Sequence, residues 1–207
     1  MSFDKPRNLN KVINQKGLVI CNFGDGKGKT TAAIGTAVRA IGAGLNVFIL
    51  QFVKAKKPKP GEDLQPGEWP VSSEIELLSK AIFPPGSGAI VCEQVGAGFV
   101  GILGDRKEKQ IHQDEAQKGR ELAKQAILSN SYDLVILDEI LSAVDLGLLT
   151  IQEVVDLVKL KPSNLHLFLT GHEHHQEIID LSDTITDMRM VKHAYYEGVQ
   201  AQAGIDY

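Results

Sequence analysis

Cysteine is scarce in this chain, whose 207 residues include only Cys21 and Cys92. The two cysteines lack the spacing of metal ligands, and a disulfide framework needs more of them, so a disulfide-stabilised secreted domain is disfavoured. We therefore expect a cytoplasmic protein. Cys21 lies within an apolar strand pattern, which predicts that it is buried.

Long apolar runs and a surplus of basic residues are also lacking. No stretch approaches the ~18 apolar residues that span a bilayer, and residues 1–15 are polar, without the apolar core of a signal peptide. The net charge of −4 argues against a broad nucleic-acid surface. We therefore expect neither a membrane nor a nucleic acid as a partner.

A glycine-rich segment between an apolar run and an alanine-rich run carries the main functional signal. Leu18–Phe23 predicts a strand and Lys29–Ile41 predicts a helix. The glycines between them let several backbone N–H groups face one anion, and the helix start adds its positive dipole end. Lys29 would then contact phosphate oxygens, and the Thr30 hydroxyl a magnesium ion. The predicted nucleotide-binding residues are Gly24, Asp25, Gly26, Lys27, Gly28, Lys29, Thr30 and Thr31.

One position of this loop departs from the standard spacing. A phosphate-binding loop places its first glycine five residues before Gly28, and that position is Phe23. The glycine here is Gly24, so the loop is one residue short. A flexible surface loop is the alternative interpretation, and the flanking strand and helix favour nucleotide binding over it.

A second motif supports this prediction independently. The apolar strand Leu134–Leu137 runs directly into Asp138 and Glu139. A parallel strand delivers such carboxylates to the carboxyl edge of the sheet, where ligands bind in open α/β folds. There they can hold magnesium beside the phosphates. The alternative role for Asp138 is the N-cap of a following helix.

Apolar strands alternate with helical patterns along the chain, which predicts an α/β fold. We expect a P-loop NTPase-like (RecA-like), mostly parallel sheet with helices on both faces. The remaining predicted strands are Asn46–Val53, Ile90–Val95, Leu165–Thr170 and Thr184–Met188. The remaining predicted helices are Lys107–Leu128, a capping-box helix from Thr150 to about Lys159, and His175–Leu181.

The domain boundaries follow from composition. Residues 1–16 form a polar N-terminal arm, and residues 17–207 form a single α/β domain. Prolines and glycines concentrate between about 54 and 90, which predicts an irregular insertion, a candidate lid or binding loop. Only Glu74–Leu78 within it has the pattern of a short strand.

Two polar clusters leave alternatives open. His172, His174 and His175 follow a predicted strand, and their metal-binding interpretation is weaker than that of solvated or phosphate-facing histidines because no fourth ligand has suitable spacing. Four lysines among prolines form either a solvated loop or an anion-steering run: Lys54, Lys56, Lys57 and Lys59.

The sequence has no recognisable pair of nucleophile and base. It shows no Ser-His-Asp order, no Cys-His set and no isolated carboxylate dyad. The nucleophile would therefore belong to the substrate, and the protein would mainly position ATP against it.

Several segments, in order, closely resemble the ATP:corrinoid adenosyltransferase family of the CobA/BtuR type. Beyond the loop and Leu137-Asp138-Glu139, they are Gln51-Phe52-Val53-Lys54, Gly96-Ala97-Gly98-Phe99, Thr170-Gly171, Val191-Lys192-His193-Ala194, Gly198 and Gly204-Ile205-Asp206-Tyr207. The resemblance covers most of 17–207 and fails across about 56–92.

The resemblance implies transfer of the 5′-deoxyadenosyl group of ATP to cobalt(I) of a corrinoid, with release of triphosphate. It further implies a role in adenosylcobalamin biosynthesis or salvage. In this family ATP is held in reversed polarity, which presents C5′ for attack. Carried over, Lys29, Thr30 and Glu139 would be catalytic, and Lys192 and His193 would bind the nucleotide. Thr30 and Glu139, with Asp138 close by, would hold Mg²⁺ or Mn²⁺.

On the corrinoid side, the resemblance implies that Phe99 helps to displace the lower axial ligand of cobalt. Gly101 stands where the family has tryptophan, and His172 where it has arginine. The family further implies an electron donor such as a reduced flavoprotein, and a homodimer. The alternative functions are an ATP- or adenosylcorrinoid-binding regulator or carrier, and a conventional P-loop ATPase or phosphotransferase.

Overall fold

Six parallel strands form the centre of the described part of the chain. The computed structural model describes residues 16–53, 72–98, 100–101, 105–202 and 204–205. The strands are β1 (Val19–Phe23), β2 (Val47–Gln51), β3 (Ile90–Gln94), β4 (Leu134–Asp138), β5 (His166–Thr170) and β6 (Thr184–Asp187). They form one sheet of order β3-β2-β4-β5-β1-β6, and every neighbouring pair is parallel. This topology confirms the predicted α/β class.

Helices cover both faces of the sheet, as the parallel connections require. The helices are α1 (Lys29–Gly42), α2 (Ser73–Lys80), α3 (Lys109–Leu128), α4 (Ile140–Asp145), α5 (Ile151–Lys159) and α6 (Gln176–Ile179), with a 3₁₀ turn at Ala194–Glu197. α1 and α2 pack against side chains on one face of the sheet. The other four helices, α3 to α6, pack against side chains on the opposite face. β2 and β4 are buried on both faces, which explains their continuous apolar runs.

Local sequence signals explain several element boundaries. Thr150 and Glu153 form the predicted capping box, in which each side chain accepts a hydrogen bond from the backbone N–H of the other. Cys21 is buried, with 1% of its surface exposed, as predicted. No helix among the described residues combines the length and apolar content needed to cross a membrane.

The prediction of a short strand at Glu74–Leu78 was wrong, because these residues lie in α2. Ile75 and Leu78 are buried, whereas Leu77 is 70% exposed. This spacing of three residues places two apolar side chains on one helical face, and the alternation of Ile75 with Leu77 mimicked a strand. The part of the predicted insertion at 54–71 and the predicted arm before residue 16 lie outside the described residues, whereas residues 81–89 form neither helix nor strand.

The carboxyl ends of the strands bring four polar residues into one row. Gln51 is in register with Gln94 on one side and with Asp138 on the other. Thr170 ends β5, the other neighbour of β4. All four residues project towards the face covered by α1, because side chains alternate along a strand. The row therefore adjoins the loop that joins β1 to α1.

Candidate nucleotide-binding site

The glycine-rich loop leads from β1 into α1 and is attached to the segment after β6. Gly24 donates its N–H to the carbonyl of His172 at 2.9 Å, and Gly26 donates to the carbonyl of Met188 at 2.7 Å. Gly24 has φ 112°, and a Cβ there would lie 2.5 Å from the Met188 oxygen. Only glycine accommodates both the left-handed backbone and this approach. The tight turn of the loop therefore depends on the glycine at this position.

Lys29 is folded back over the loop. Its side chain is buried, and its Nζ donates to the carbonyl oxygens of Gly24 at 2.6 Å and Gly26 at 2.9 Å. A buried ammonium group requires acceptors, and these two carbonyls supply them. Phosphate oxygens would be equivalent partners for a charged donor in this position. The arrangement holds one positive charge within the concave side of the loop.

Asp138 is the centre of a buried hydrogen-bond network. Thr30 Oγ1 lies 3.0 and 3.1 Å from its two carboxylate oxygens. Thr170 Oγ1 donates to Oδ1 at 2.7 Å, and Gln51 Nε2 donates to Oδ2 at 3.0 Å. The Asp138 residue is only 1% exposed. Three donors thus fix both oxygens of a carboxylate that has no access to water.

Opposing effects act on the pKa of this carboxyl group. Burial is the largest and raises the pKa of Asp138, and the charge of the adjacent Glu139 raises it further. The hydrogen bonds from Thr170, Thr30 and Gln51 lower it, and the net direction is upward. The donors therefore offset part of the cost of burying a charge.

Glu139 follows with a strained backbone. Its φ is 60°, an unusual value for a residue other than glycine. Its N–H donates to Thr170 Oγ1 at 2.8 Å, and Ser142 Oγ donates to its carboxylate. Strain of this kind persists where surrounding bonds hold the backbone, and it is concentrated at functional sites.

The N-cap alternative for Asp138 is not seen. The residue that caps α4 is Glu139, without a side-chain cap bond, and the Asp138 carboxylate is engaged by three other side chains. Asp138 therefore acts within the site network and not as a helix cap.

The oxygen ligands that Thr30 and Glu139 can provide fit magnesium. Thr30 directs its hydroxyl proton to Asp138, which leaves oxygen lone pairs available, and the Glu139 carboxylate is close enough to Asp138 to raise its pKa. Among the described residues no group of three His, Cys, Asp or Glu side chains could hold a metal by itself. Magnesium suits such a sparse oxygen set because phosphates and water complete its coordination.

Two cavities adjoin the loop on the β6 side. One, of about 320 Å³, is lined by Lys27 and Asp25 together with His193 and neighbouring aromatic residues. The other, of about 520 Å³, is lined by Lys27, Lys192 and His193. The structure thus brings these four predicted nucleotide-binding residues to one region, whereas the predicted Thr31 lies exposed on α1. Their roles remain predictions.

The predicted corrinoid side is described only in part. Phe99 lies outside the described residues. Gly101 is exposed, and its N–H donates to Asp105 at 2.9 Å. The Asp105 carboxylate also pairs with His112 Nε2 at 3.1 Å, in a buried contact. Asp105 thus links the loop that contains Gly101 to α3 through these two hydrogen bonds.

The three histidines have separate contacts. The His172 carbonyl accepts the N–H of Gly24, and the His174 ring lies 5.8 Å from that of Phe23. His175 Nε2 pairs with Asp145 at 2.9 Å. His172 and His174 are exposed, which is compatible with the favoured prediction of solvated or phosphate-facing side chains, whereas His175 is half-buried.

Sequence reasoning did not assign a site role to Gln51, Gln94 or Thr170. Each is the last residue of a strand, and a polar residue that closes an apolar strand was the available signal. The same signal identified Asp138. Their convergence depends on strand order, which a linear pattern does not give.

The chain matches a known family over nearly its full length. A model of the family described as ATP:corrinoid adenosyltransferase BtuR/CobO/CobP matches residues 15–207. The chain belongs to this family. The resemblance of the motifs is thereby confirmed, and the ATP:corrinoid adenosyltransferases are ATP-dependent transferases.

Individual relatives agree with this assignment to the corrinoid adenosyltransferases. The chain is 34% identical over 194 residues to the corrinoid adenosyltransferase of Escherichia coli K12, covering 94% of this chain and 87% of that protein. It is 35% identical over 194 residues to corrinoid adenosyltransferase CobA of Salmonella typhimurium LT2, covering 93% and 87%.

A solved structure of EssC ATPases 2 and 3 from Geobacillus thermodenitrificans is similar at a TM-score of 0.43 and 12% identity. The match covers 92% of this chain but only 35% of the ATPase chain. A likeness this distant supports no functional inference.

Proposed function

We propose that the protein transfers the 5′-deoxyadenosyl group of ATP to cobalt(I) of a corrinoid. Cobalt(I) supplies the electron pair of the new cobalt–carbon bond and becomes formally cobalt(III). The bond between C5′ and its phosphate oxygen breaks, and triphosphate leaves with the electron pair of that C5′–O bond. The observation that carries the proposal is the Lys29 loop joined to the Asp138 network within a chain of this family.

Lys29 and the loop act on the leaving group. Negative charge accumulates on triphosphate as the C5′–O bond breaks. A buried ammonium group already held at the loop, with its carbonyl partners at 2.6 and 2.9 Å, can exchange them for phosphate oxygens. Stabilising charge that develops in the transition state is what accelerates such a step.

Thr30 and Glu139 are the proposed protein ligands of magnesium. Asp138 has both oxygens occupied by side-chain donors, so it acts through the Thr30 hydroxyl. Bound Mg²⁺, or Mn²⁺ in its place, would neutralise charge on the phosphates.

The order of the strands supports a particular orientation of ATP. The nucleotide loop follows β1, whereas the loop that begins at Gly96 follows β3, four strands away in the sheet. β6 lies on the other side of β1. If the corrinoid sits against the β3 loop, the triphosphate occupies the glycine-rich loop and C5′ points past Asp138 towards β2 and β3. An orientation with C5′, and not the γ-phosphate, on the Asp138 side agrees with the reversed polarity expected for the family.

The remaining partners are proposed from family membership. Cobalt(II) must gain one electron before it can attack, and we propose a reduced flavoprotein as the donor. We also propose a cytoplasmic homodimer, in which Phe99 faces the corrinoid. The two free cysteines are compatible with a reducing compartment.

The identity of the phosphate product tests this function. The protein would be incubated anaerobically with Mg·ATP and a chemically reduced corrinoid, and products would be followed by phosphorus NMR and by absorbance. We expect inorganic triphosphate together with a light-sensitive cobalt–carbon bond in equal amounts. Release of ADP and phosphate would instead support a conventional ATPase. ATP binding without any product would support a regulator or carrier.

A further inference from the structure

Two glutamine side chains extend the Asp138 network across the sheet. Gln94 Nε2 donates to Gln51 Oε1 at 2.8 Å, and Gln51 Nε2 donates to Asp138 Oδ2 at 3.0 Å. Gln51 is completely buried, and Gln94 is partly buried at the end of the edge strand β3. The two amides thus form a chain from the outer strand to the carboxylate beside Thr30.

This chain has a direction. An ionised carboxylate only accepts hydrogen bonds, so Gln51 must present its NH₂ group to Asp138. The carbonyl end of the same amide then faces Gln94, which must donate in turn. The opposite orientation of Gln51 would place its carbonyl oxygen against the carboxylate, which is repulsive. One orientation of each amide therefore satisfies the whole chain.

The direction matters because of Thr30. Thr170 holds one oxygen of Asp138 and Gln51 holds the other, so the carboxylate cannot rotate. Thr30 Oγ1, at 3.0 and 3.1 Å from those oxygens, then directs its proton to them and its lone pairs away. If the Gln51 amide were turned the other way, it would no longer donate to Asp138 Oδ2. The carboxylate could then rotate, and the Thr30 hydroxyl would lose its fixed orientation.

We propose that Gln51 and Gln94 are positioning residues whose ordered amides hold Asp138, and through it the Thr30 hydroxyl, in the orientation that binds Mg·ATP. In this proposal neither glutamine side chain contacts ATP or the corrinoid. The inference rests on the proposed function only in taking the glycine-rich loop as a Mg·ATP site. It does not depend on adenosyl transfer.

A matched pair of substitutions at Gln94 tests the direction of the chain. Gln94→Leu removes the donor, but Asp138 still attracts the NH₂ group of Gln51, so the amide keeps its orientation. Gln94→Glu places a carboxylate against the Gln51 carbonyl and favours the turned amide. A requirement for packing alone would make the two substitutions similar in effect.

The readout is the gain in ATP affinity on adding Mg²⁺, measured by calorimetry at pH 8 with ATP in EDTA and with ATP plus Mg²⁺. We expect Gln94→Glu and Gln51→Leu each to reduce this gain about tenfold, the cost of one lost hydrogen bond to a charged group. We expect Gln94→Leu to stay within about twofold, because its lost bond joins two neutral amides. Affinity in EDTA should hardly change in any variant.

A double variant completes the test. Once Gln51→Leu has removed the amide, a carboxylate at position 94 has nothing to turn, so the double substitution should be no worse than Gln51→Leu alone. Equal losses in Gln94→Leu and Gln94→Glu, or additive losses in the double variant, would overturn the inference. Absence of triphosphate in the wild-type assay, with this pattern intact, would overturn the proposed function and leave the inference standing.

Discussion

The carboxyl ends of the parallel strands form one edge of the sheet, and their amino ends form the opposite one; we call these the carboxyl edge and the amino edge. Each holds a lysine that donates to backbone carbonyls. At the carboxyl edge, Lys29 Nζ binds the carbonyls of Gly24 and Gly26. At the amino edge, Lys161 Nζ binds those of Gly17, Pro162 and Leu165, at 2.8, 3.1 and 2.9 Å. Burial is the main reason that the pKa of Lys161 lies below its ordinary value.

The surroundings of the two lysines differ in kind. At the amino edge, other polar side chains also bind backbone groups: Asp133 accepts the N–H of Asn46, and Asp183 accepts that of Val19. At the carboxyl edge, side chains bind one another around Asp138. Bonds to the backbone join chain segments and contribute to stability. Convergent side-chain bonds hold a charge in place, which is a requirement of ligand binding.

The largest predicted effect should separate the role of the carboxyl-edge lysine in catalysis from the role of the amino-edge lysine in stability. We expect Lys29→Met to lower kcat/KM for triphosphate formation by about 100-fold or more, the loss typical of a group that stabilises transition-state charge. Steady-state kinetics would measure the loss. Lys161→Met is the matched control and should retain ATP binding and turnover. Equal losses of activity in both variants would contradict the division between the edges.

Thr170→Val should give the next largest effect. The Thr170 hydroxyl donates to Asp138 and accepts the N–H of Glu139, and the residue is completely buried. The isosteric valine removes the acceptor of the Glu139 N–H and one of the three donors to the buried Asp138 carboxylate, which should lower the free energy of unfolding by about 2–3 kcal/mol. Urea unfolding would measure it. Thr170→Ser keeps the hydroxyl and should recover more than half of the loss; no recovery would assign the effect to packing.

Lys161→Met should destabilise the protein by a smaller amount. Three carbonyls lose a charged donor, but the site is only partly buried and water can replace some of the bonds. We expect a decrease of about 1–2 kcal/mol in the free energy of unfolding, measured in urea. An unchanged stability would show that the amino-edge contacts contribute little.

The smallest effect concerns Asp105, a carboxylate bound mainly by backbone donors. The N–H of Gly101, followed by that of Lys107, lowers the pKa of Asp105 below its ordinary value of 3.8, and His112 contributes. A carboxyl group whose pKa is lower in the folded state stabilises the protein above its unfolded pKa and loses that contribution as pH falls.

The corresponding test is thermal unfolding of the wild type and Asp105→Asn as a function of pH. We expect the wild type to be the more stable at pH 7, with a difference that shrinks below about pH 4 as Asp105 is protonated. A difference that persists unchanged to pH 2 would show that the charge of Asp105 is not its source.

Contiguous patterns of the sequence were sufficient to predict most of the fold. The apolar runs of β2 and β4 indicated buried parallel strands, and the glycine-rich loop was placed between the correct strand and helix. The pattern failed at α2, since the eight residues Ser73–Lys80 are too few for the helical period to be distinguished from alternation. Short segments give the weakest periodic signal.

The site residues that could be predicted are those in short motifs whose chemistry is recognisable from the sequence. Lys29, Thr30 and Asp138 stand in recognisable motifs, and the structure brings Thr30 to Asp138 across 108 positions of sequence. Gln51 and Gln94 could not be assigned in the same way. Their contacts with Asp138 and with each other depend on the register of β2, β3 and β4, which is set by packing across the whole sheet.

The place of β1 in the sheet has a consequence for synthesis of the protein. β1 is flanked by β5 and β6, so the N–H of Val19 finds its acceptor, the carboxylate of Asp183, 164 positions later. β1 leaves the ribosome long before either neighbour exists, and contacts so distant in sequence form slowly. The strand that leads into the nucleotide loop is therefore paired only after β5 and β6 have been made, so ATP binding depends on these later strands.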